Sequence, residues 1–386
     1  TPRKASWHCF GCSEGGDIFS FVQKMEGIDF PTALKLLADR AGVKLPERRP
    51  ESESHRQRLF SLLVSTAQLY HEILMNQKAG ERAKQYMLER GVREETMKEF
   101  MIGYSPHAWG TLSKWLVKKG FRIDEMIAAG VVGKSESGKL FDRFRGRIIF
   151  PVLDLQGRVI AFGGRIVPWH ETGNEGKYVN SPETALYEKR RTVYNLSRAK
   201  KVLRGGNACI VVEGYMDVVM LVQSGVENVV ATSGTALTEE HVELLKRFTN
   251  TLHFAFDGDS AGWKATIVAT QSALSTGMNV DTIVLPEGKD PADIAKESPE
   301  RLQEVLSHTK PLMEVLVERI GAGTVSEKEQ ALAALVPLLR LVKNPIVQGT
   351  MVEHLAQLLK TPEAQIISLI GQNETVFTPP AFSGQA

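Results

Sequence analysis

Apolar residues recur at helical spacing over residues 59–75, and a second helix is expected over about 81–89, stopped by Gly91. Upstream, Ile18, Phe19, Phe21 and Val22, then Ala33, Leu34, Leu36 and Leu37, give residues 1–45 a helical texture behind a short cysteine-bearing opening. Residues 46–58 (PERRPESESHRQR) are polar, charged and interrupted by proline, which predicts a linker. Between Leu140 and Val167 the pattern changes to short β-rich runs at 147–150, 152–153 and 158–162, with 154–157 as the turn of a hairpin or meander. From 208 onward strands and helices alternate. Strands at 209–212, 229–231, 252–256 and 282–285 are separated by helices at 216–223, 239–248 and 261–275. Such alternation predicts an α/β unit, a parallel sheet flanked by helices. Residues 297–370 carry helical periodicity throughout, and the polar tail from Gln372, with Pro379-Pro380, is expected to be disordered.

The composition of the 386 residues, 42% apolar and 24% charged, is that of a soluble globular protein of two or three domains. No stretch approaches the roughly 18 apolar residues of a membrane span, and no basic segment followed by an apolar core marks secretion. The opening Thr1-Pro2, without Met, suggests a fragment or a processed product. The three cysteines are Cys9, Cys12 and Cys209; this is no disulfide scaffold and fits a reducing cytoplasm. Charge is unevenly divided. Residues 139–204 carry 14 Lys/Arg against 6 Asp/Glu, whereas 205–299 carry 5 against 13. Basic surface suits a polyanion and clustered carboxylates suit a divalent metal, although two solvated faces of opposite sign would give the same count.

The acidic residues fall at the carboxyl ends of the expected strands, where open α/β sheets place their sites. Glu213 follows the first strand, with Gly214 permitting a turn into the helix that bears Asp217. Asp257-Gly258-Asp259 follows the third, and Asp290-Pro291-Ala292-Asp293 the last. Any one of these acids could be a helix cap; as a set they predict a site for Mg²⁺ or Mn²⁺, because carboxylates converging without a cation repel. Among basic residues, Arg143, Arg145 and Arg147 alternate, as a stripe on one strand face would, and Arg165, Lys177 and the run Lys189-Arg190-Arg191 follow. Arginine's planar fork suits nucleic-acid phosphates; a charged sheet edge is the plainer alternative. Cys9-x-x-Cys12 is half of a zinc site whose other ligands would precede Thr1, and Cys209 is expected as a small buried hydrophobe.

The Glu213 and Asp257-x-Asp259 signature resembles the Toprim domain of primases, topoisomerases and some nucleases. Glu213-Gly-Tyr-Met-Asp217, Arg143-Phe-Arg-Gly-Arg147 through Phe162-Gly-Gly-Arg165, and Lys177-Tyr-Val-Asn-Ser-Pro182 are similar to the bacterial DnaG-type DNA primase family, and His8-Cys-Phe-Gly-Cys12 to the second half of its zinc-binding domain. The resemblance implies a partial zinc ribbon at 1–45, a linker at 46–58, a basic α+β subdomain at 59–204, Toprim at 205–295, a helical subdomain at 296–371 and a tail at 372–386. It implies DNA-directed synthesis of short RNA on single-stranded DNA from ribonucleoside triphosphates, leaving an RNA–DNA hybrid. Glu213, Asp257, Asp259, Asp290 and Asp293 would hold Mg²⁺ or Mn²⁺, with Glu213, Asp257 and Asp259 catalytic. Cys9 and Cys12 would hold Zn²⁺ in an incomplete site. Arg90, Arg143, Arg145, Arg147, Arg165, Lys177 and Lys189 would meet template and nucleotide. The replicative helicase is an implied partner, through a binding domain expected to be absent. The family shows Asp-Pro-Asp where this chain has Asp290-Pro291-Ala292, and Asp293 is expected to take over from the missing acid. Two rival readings are a Toprim nuclease or topoisomerase, whose nucleophile would have to be a presented tyrosine such as Tyr215, and a non-enzymatic single-stranded-DNA adaptor.

Overall fold

The computed structural model describes residues 6–9, 11, 14–43, 50–173, 176–232, 234, 236–256, 260–286 and 288–372, with the backbone alone for 50–53, 260, 261 and 264. Strands β1 (Ser6–His8) and β2 (Gly15–Asp17) pair antiparallel, followed by helices α1 (Ile18–Glu26) and α2 (Phe30–Ala41). Asp17 and Asp29 cap those helices by accepting from the amides of Ser20 and Thr32. Gly27 lies against the ring of Phe248, which docks this first unit on the acidic half of the chain.

Helix α3 (Pro50–Asn76) takes in residues 50–58 of the segment expected as a linker. Leu59, Leu62, Leu63, Tyr70 and Ile73 bury one face, and Arg58 at the exposed start pairs with the buried carboxylate of Glu125, 67 positions away. A polar stretch that earns its place through so distant a partner carries no local signal of helix. After α3 come α4 (Glu81–Glu89), α5 (Glu94–Glu99), β3 (Gly103–Ser105), α6 (Thr111–Lys118), α7 (Ile123–Ala128) and the hairpin β4 (Val132–Lys134) with β5 (Leu140–Asp142). The expected hairpin forms from β6 (Arg147–Leu153) and β7 (Val159–Ile166), and β8 (Tyr178–Asn180) adds to it. The sheet runs β3-β6-β7-β8, antiparallel, beneath α3. At its turn Asp154 Oδ1 accepts from the amides of Gln156 and Arg158, each at 2.9 Å.

The second sheet is the α/β unit expected from the alternation. Helix α8 (Leu196–Leu203) leads to β9 (Cys209–Val212), α9 (Tyr215–Gln223), β10 (Val229–Ala231), α10 (Glu239–Leu245), β11 (Thr251–Phe254), α11 (Ser260–Ser275), β12 (Asn279–Ile283), α12 (Pro291–Glu297) and α13 (Pro299–Ser307). Strand order is β10-β9-β11-β12-β13, and the first four are parallel. The last, β13 (Thr309–Pro311), is antiparallel and lies inside the stretch expected to be wholly helical. Three residues at a sheet edge, one of them proline, leave no periodicity to read, and proline is tolerated there because an edge needs no ladder donor on its open side. Residues 215–221 of α9 are all buried, packed against the sheet and α12, and all are apolar or aromatic except Asp217. Cys209 is a buried core residue, its thiol pushed far up by burial. Helices α14 (Leu312–Ile320), α15 (Val325–Leu341), α16 (Pro345–Leu359) and α17 (Glu363–Gly371) form a bundle with its own core, onto which α11 packs through Trp263, Ile267 and Leu274. Among the described residues no helix is long and apolar enough to cross a membrane. The tail expected to be disordered lies outside the described residues from 373 on.

Candidate functional site

Strands β9, β11 and β12 are neighbours and parallel, so their carboxyl ends line one edge of the sheet, with adjacent strands about 4.8 Å apart. Glu213 leaves β9 half-buried, ahead of the turn at Gly214. Asp217 is a cap: its Oδ2 accepts from the Gly214 amide at 3.0 Å. Beyond β12, Asp290 caps α12, its Oδ1 accepting from the Asp293 amide at 2.7 Å, with Pro291 in the first turn. Asp290 and Asp293 are both half-buried, while Ala292 is 4% exposed and packs into the main apolar core. Asp257 and Asp259 follow β11 and lie outside the described residues. Among the described residues no three His, Cys, Asp or Glu side chains gather as a metal site. The structure thus brings Glu213, Asp290 and Asp293 to one sheet edge without making them a complete ligand set by themselves. Their donors are all hard oxygens, the chemistry that suits a divalent cation of the Mg²⁺ type, and capping α12 occupies one oxygen of Asp290.

Cys9 is exposed in the turn between β1 and β2, where its amide donates to the Glu14 carbonyl at 2.7 Å. A thiol on a hairpin knuckle fits one corner of a tetrahedral zinc site. Cys12 lies outside the described residues.

Tyr215 is not presented to anything outside. It is 1% exposed, stacked on Phe150 at 5.3 Å and 8°, and set edge-on to Tyr194 at 4.7 Å. Its hydroxyl donates to Asn180 Oδ1 at 2.8 Å. Gly163 of β7 is glycine for this reason: a Cβ there would stand 2.3 Å from the phenol ring. The topoisomerase-like reading loses its candidate nucleophile, and the aromatic cluster instead fastens the Glu213 turn to the β7–β8 edge.

The three alternating arginines do not form a stripe. Residues 143–146 are a bend between β5 and β6, and Gly146 has φ +63°, so the extended alternation assumed for them does not exist. Arg143 is half-buried, its Nε donating to the Gly130 carbonyl at 3.1 Å, and burial lowers its pKa. Arg147 is 5% exposed; its Nη1 donates to the carbonyls of Gly164, Gly176 and Lys177 at 3.1, 3.0 and 3.3 Å. Arg145, also half-buried, lies 3.4 Å over the ring of Trp109, which is 57% exposed and has Lys139 Nζ 5.4 Å away. The sequence reading missed Trp109. A large aromatic in the short polar segment His107-Ala108-Trp109-Gly110 was the available signal.

The remaining basic residues are each held by local contacts. Arg165 Nη1 donates to the Tyr178 hydroxyl at 2.9 Å, and Tyr178, its phenol pKa raised by burial, packs on Tyr215. Lys177 is exposed beside them, its carbonyl held by Arg147. Lys189 begins a single 3₁₀ turn, Lys189–Arg191, its amide donating to Glu183 Oε1 at 2.9 Å. Arg90 ends α4 at the seam between the two sheets. There Lys296 Nζ donates to the Glu89 carbonyl at 2.9 Å. The side-chain amide of Gln223 donates to the Gly91 carbonyl and accepts from the Arg93 amide and Thr96 hydroxyl, all at 2.8 Å.

Comparison with known proteins assigns these parts. Residues 1–53 match the CHC2 zinc finger, 70–200 the N-terminal domain of the DNA primase catalytic core, and 210–295 a Toprim-like family. The first unit is therefore of a zinc-binding type and the α/β unit of a divalent-metal type. Residues 312–364 match the DnaB-helicase binding domain of primase. This overturns the expectation that such a domain is absent: it falls on the helical bundle, whose periodicity alone reads as generic packing. The chain is 38% identical over 316 residues to a DNA primase of Listeria monocytogenes, covering 79% of this chain and 50% of that protein. With a DNA primase of Pseudomonas aeruginosa it shares 34% identity over 389 residues, 97% of this chain and 57% of that protein. The chain thus spans about half the length of these curated relatives. A crystal structure of a DNA primase domain from P. aeruginosa aligns with a TM-score of 0.72 at 33% identity, covering 81% of this chain and 100% of that one. The Aquifex aeolicus primase, with zinc-binding and RNA polymerase domains, aligns at 0.71 and 29% identity, covering 95% and 88%. A DnaG primase catalytic domain bound to ssDNA aligns at 0.68 and 32% identity, covering 81% and 99%.

Proposed function

We propose that this chain, which belongs to the bacterial DnaG-type DNA primase family, synthesises short RNA on single-stranded DNA from ribonucleoside triphosphates. The observation that carries the reading is the junction of the two sheets. The Glu213 turn at the carboxylate edge is bonded through Tyr215 to Asn180 of β8, the strand that Lys177 precedes and whose Tyr178 holds Arg165 of β7. This junction supports a reading in which acid for metal and base for phosphate lie on its two sides.

In the reaction the 3′-hydroxyl of the growing strand attacks the α-phosphorus of the incoming nucleotide. The bond to pyrophosphate breaks, and the hydroxyl proton is given up. Glu213, Asp257, Asp259, Asp290 and Asp293 would hold Mg²⁺ or Mn²⁺, which when bound neutralises triphosphate charge and lowers the pKa of the attacking hydroxyl. Glu213, leaving β9 next to the aromatic cluster, would serve either as a ligand or as the acceptor of that proton. Arg165 and Lys177 neutralise phosphate, with Lys189 and Arg90. Arg145 over Trp109 offers a cation and an exposed aromatic face, the pairing on which unpaired bases stack. Cys9 and Cys12 would supply half of a zinc site in the first unit, and the bundle that matches the helicase-binding model would be the face offered to the replicative helicase.

A template-directed assay with labelled ribonucleotides, run with Mg²⁺, with Mn²⁺ and with chelator, tests the reading. Template-dependent RNA that vanishes with chelator is the expected result. Oligonucleotide binding that survives chelation, with no RNA formed under any metal, would replace it with the adaptor reading.

A further inference from the structure

One imidazole lies in the interior next to the Lys189–Arg191 turn. His241, in the first turn of α10, is 0% exposed. Its Nε2 is 2.7 Å from the Lys189 carbonyl. A carbonyl can only accept, so Nε2 carries a proton. Its Nδ1 is 3.2 Å from the Thr238 backbone amide, which can only donate, so Nδ1 is bare. These two neighbours select one neutral tautomer, and burial holds the ring below the ordinary imidazole pKa.

Three further bonds hold the turn, one of them from the same helix end. Thr238 Oγ1 donates to the Arg190 carbonyl at 3.0 Å, Glu183 Oε1 accepts from the Lys189 amide at 2.9 Å, and Thr192 Oγ1 donates to the Glu188 carbonyl at 2.7 Å. The backbone of the turn is pinned while the side chains of Arg190 and Arg191 stay 66% and 63% exposed, in loose ion pairs at 3.7 Å with Glu240 of α10 and with Glu188. The charged groups around the ring are Lys189, Arg190 and Arg191 on the turn, Glu183 and Glu188 before it, and Glu239 and Glu240 on α10. Helix α11 meets this end of α10 through the uncharged Ser272 and Ser275.

We infer that His241 is a positioning residue: as a neutral ring it ties the Lys189–Arg191 turn to α10 and fixes where Lys189 offers its ammonium to phosphate. This rests on the groove reading above, in which Lys189 meets nucleic acid or nucleotide. A second proton, on Nδ1, would set donor against the Thr238 amide and release the turn.

The test measures Kd for a labelled single-stranded oligodeoxynucleotide, together with KM and kcat for ribonucleotides, in the full chain. His241→Leu removes both ring contacts and should raise Kd and KM about three- to tenfold with kcat unchanged. His241→Gln, whose amide nitrogen reaches the Lys189 carbonyl, should restore most of the loss. Wild-type Kd should climb on acidification more than that of His241→Gln, which has no ring to protonate. Thr238→Val, which cuts the tie to Arg190 together with the cap that Thr238 Oγ1 gives the His241 amide, should shift Kd the same way and serves if His241→Leu folds poorly. A wild-type Kd in His241→Leu, or in Thr238→Val when that variant stands in, overturns the inference, as does a His241→Gln as weak as the leucine variant. Lys189→Ala separates the two readings. An unchanged Kd there removes the groove reading and this inference with it. A weakened Lys189→Ala beside a wild-type-like His241→Leu removes the inference alone.

Discussion

Tyr215 donates its hydroxyl to Asn180 Oδ1 at 2.8 Å, so the first residue of α9 and the last of β8 share one bond across the two sheets. Tyr215→Phe deletes that bond and keeps the stacked ring. It should cost about 0.5–1.5 kcal/mol in urea denaturation and leave RNA synthesis standing. Tyr215→Ala empties the ring's site and should cost about 3–5 kcal/mol. Loss of synthesis in a well-folded Tyr215→Phe would restore a chemical role to the phenol.

The three arginines should separate by what each touches. Arg145→Ala takes away a cation stacked on exposed Trp109, so log Kd against log salt should flatten by about one unit per lost phosphate contact. Its stability should stay within about 0.5 kcal/mol of wild type. Arg147→Ala strands the buried Gly164 carbonyl and frees those of Gly176 and Lys177, and should destabilise by about 1–3 kcal/mol. Equal salt slopes in Arg145→Ala and wild type would place Trp109 off the template path.

Around α12 the acids predict a graded series. Asp290→Ala loses the cap and should cost about 0.5–2 kcal/mol, together with most of the activity. Asp293→Ala should cost only about 0.3–1 kcal/mol but cut activity nearly as far, if it has replaced the acid missing at position 292. Ala292→Asp puts a carboxylate where the side chain is almost fully enclosed, and thermal denaturation without metal should register a loss of about 1–3 kcal/mol. A Asp293→Ala enzyme fully active at saturating Mg²⁺ would reduce that residue to a first-turn helix acid.

Acid should strip one identifiable contribution from stability. The Arg58 guanidinium beside buried Glu125 lowers its carboxyl from the ordinary 4.5 to about 2, assisted by the Arg122 amide. A folded pKa below the unfolded one means stability present above the unfolded value and lost as pH falls through the folded one. Unfolding free energy should therefore drop between about pH 5 and pH 2, and Glu125→Gln should show a shallower drop. Parallel curves for the two proteins would mean that the pair contributes nothing.

Features read from the chain held where a local signal coincided with a nearest-neighbour consequence. The apolar runs that became β9 and β11 marked the parallel sheet. Cys209 sat in such a run and is core. What failed depended on partners remote in sequence. Arg143, Arg145 and Arg147 look alike in a pattern of alternation, and only the bend at Gly146 assigns one to a carbonyl of a neighbouring loop, one to an exposed indole and one to the interior. The helix at 50–58 needed Glu125, and β13 needed the open edge of β12. Tyr215 shows the same dependence in reverse: adjacency to Glu213 made it a candidate nucleophile, and Gly163, Phe150 and Asn180 enclose it.

The seam closed by Gln223 has a consequence for the order in which the chain assembles. Its amide meets Arg93, Thr96 and Gly91 at separations of 130, 127 and 132 residues. Closing loops of that length costs entropy before any contact repays it, so these bonds belong to the late side of the folding barrier. During synthesis the first sheet emerges with Gly91 and Thr96 still lacking their partner, and it stays open along that border until α9 has left the ribosome. Substitutions at Gln223 should consequently speed unfolding far more than they slow folding, so that stopped-flow refolding would scarcely distinguish them from wild type.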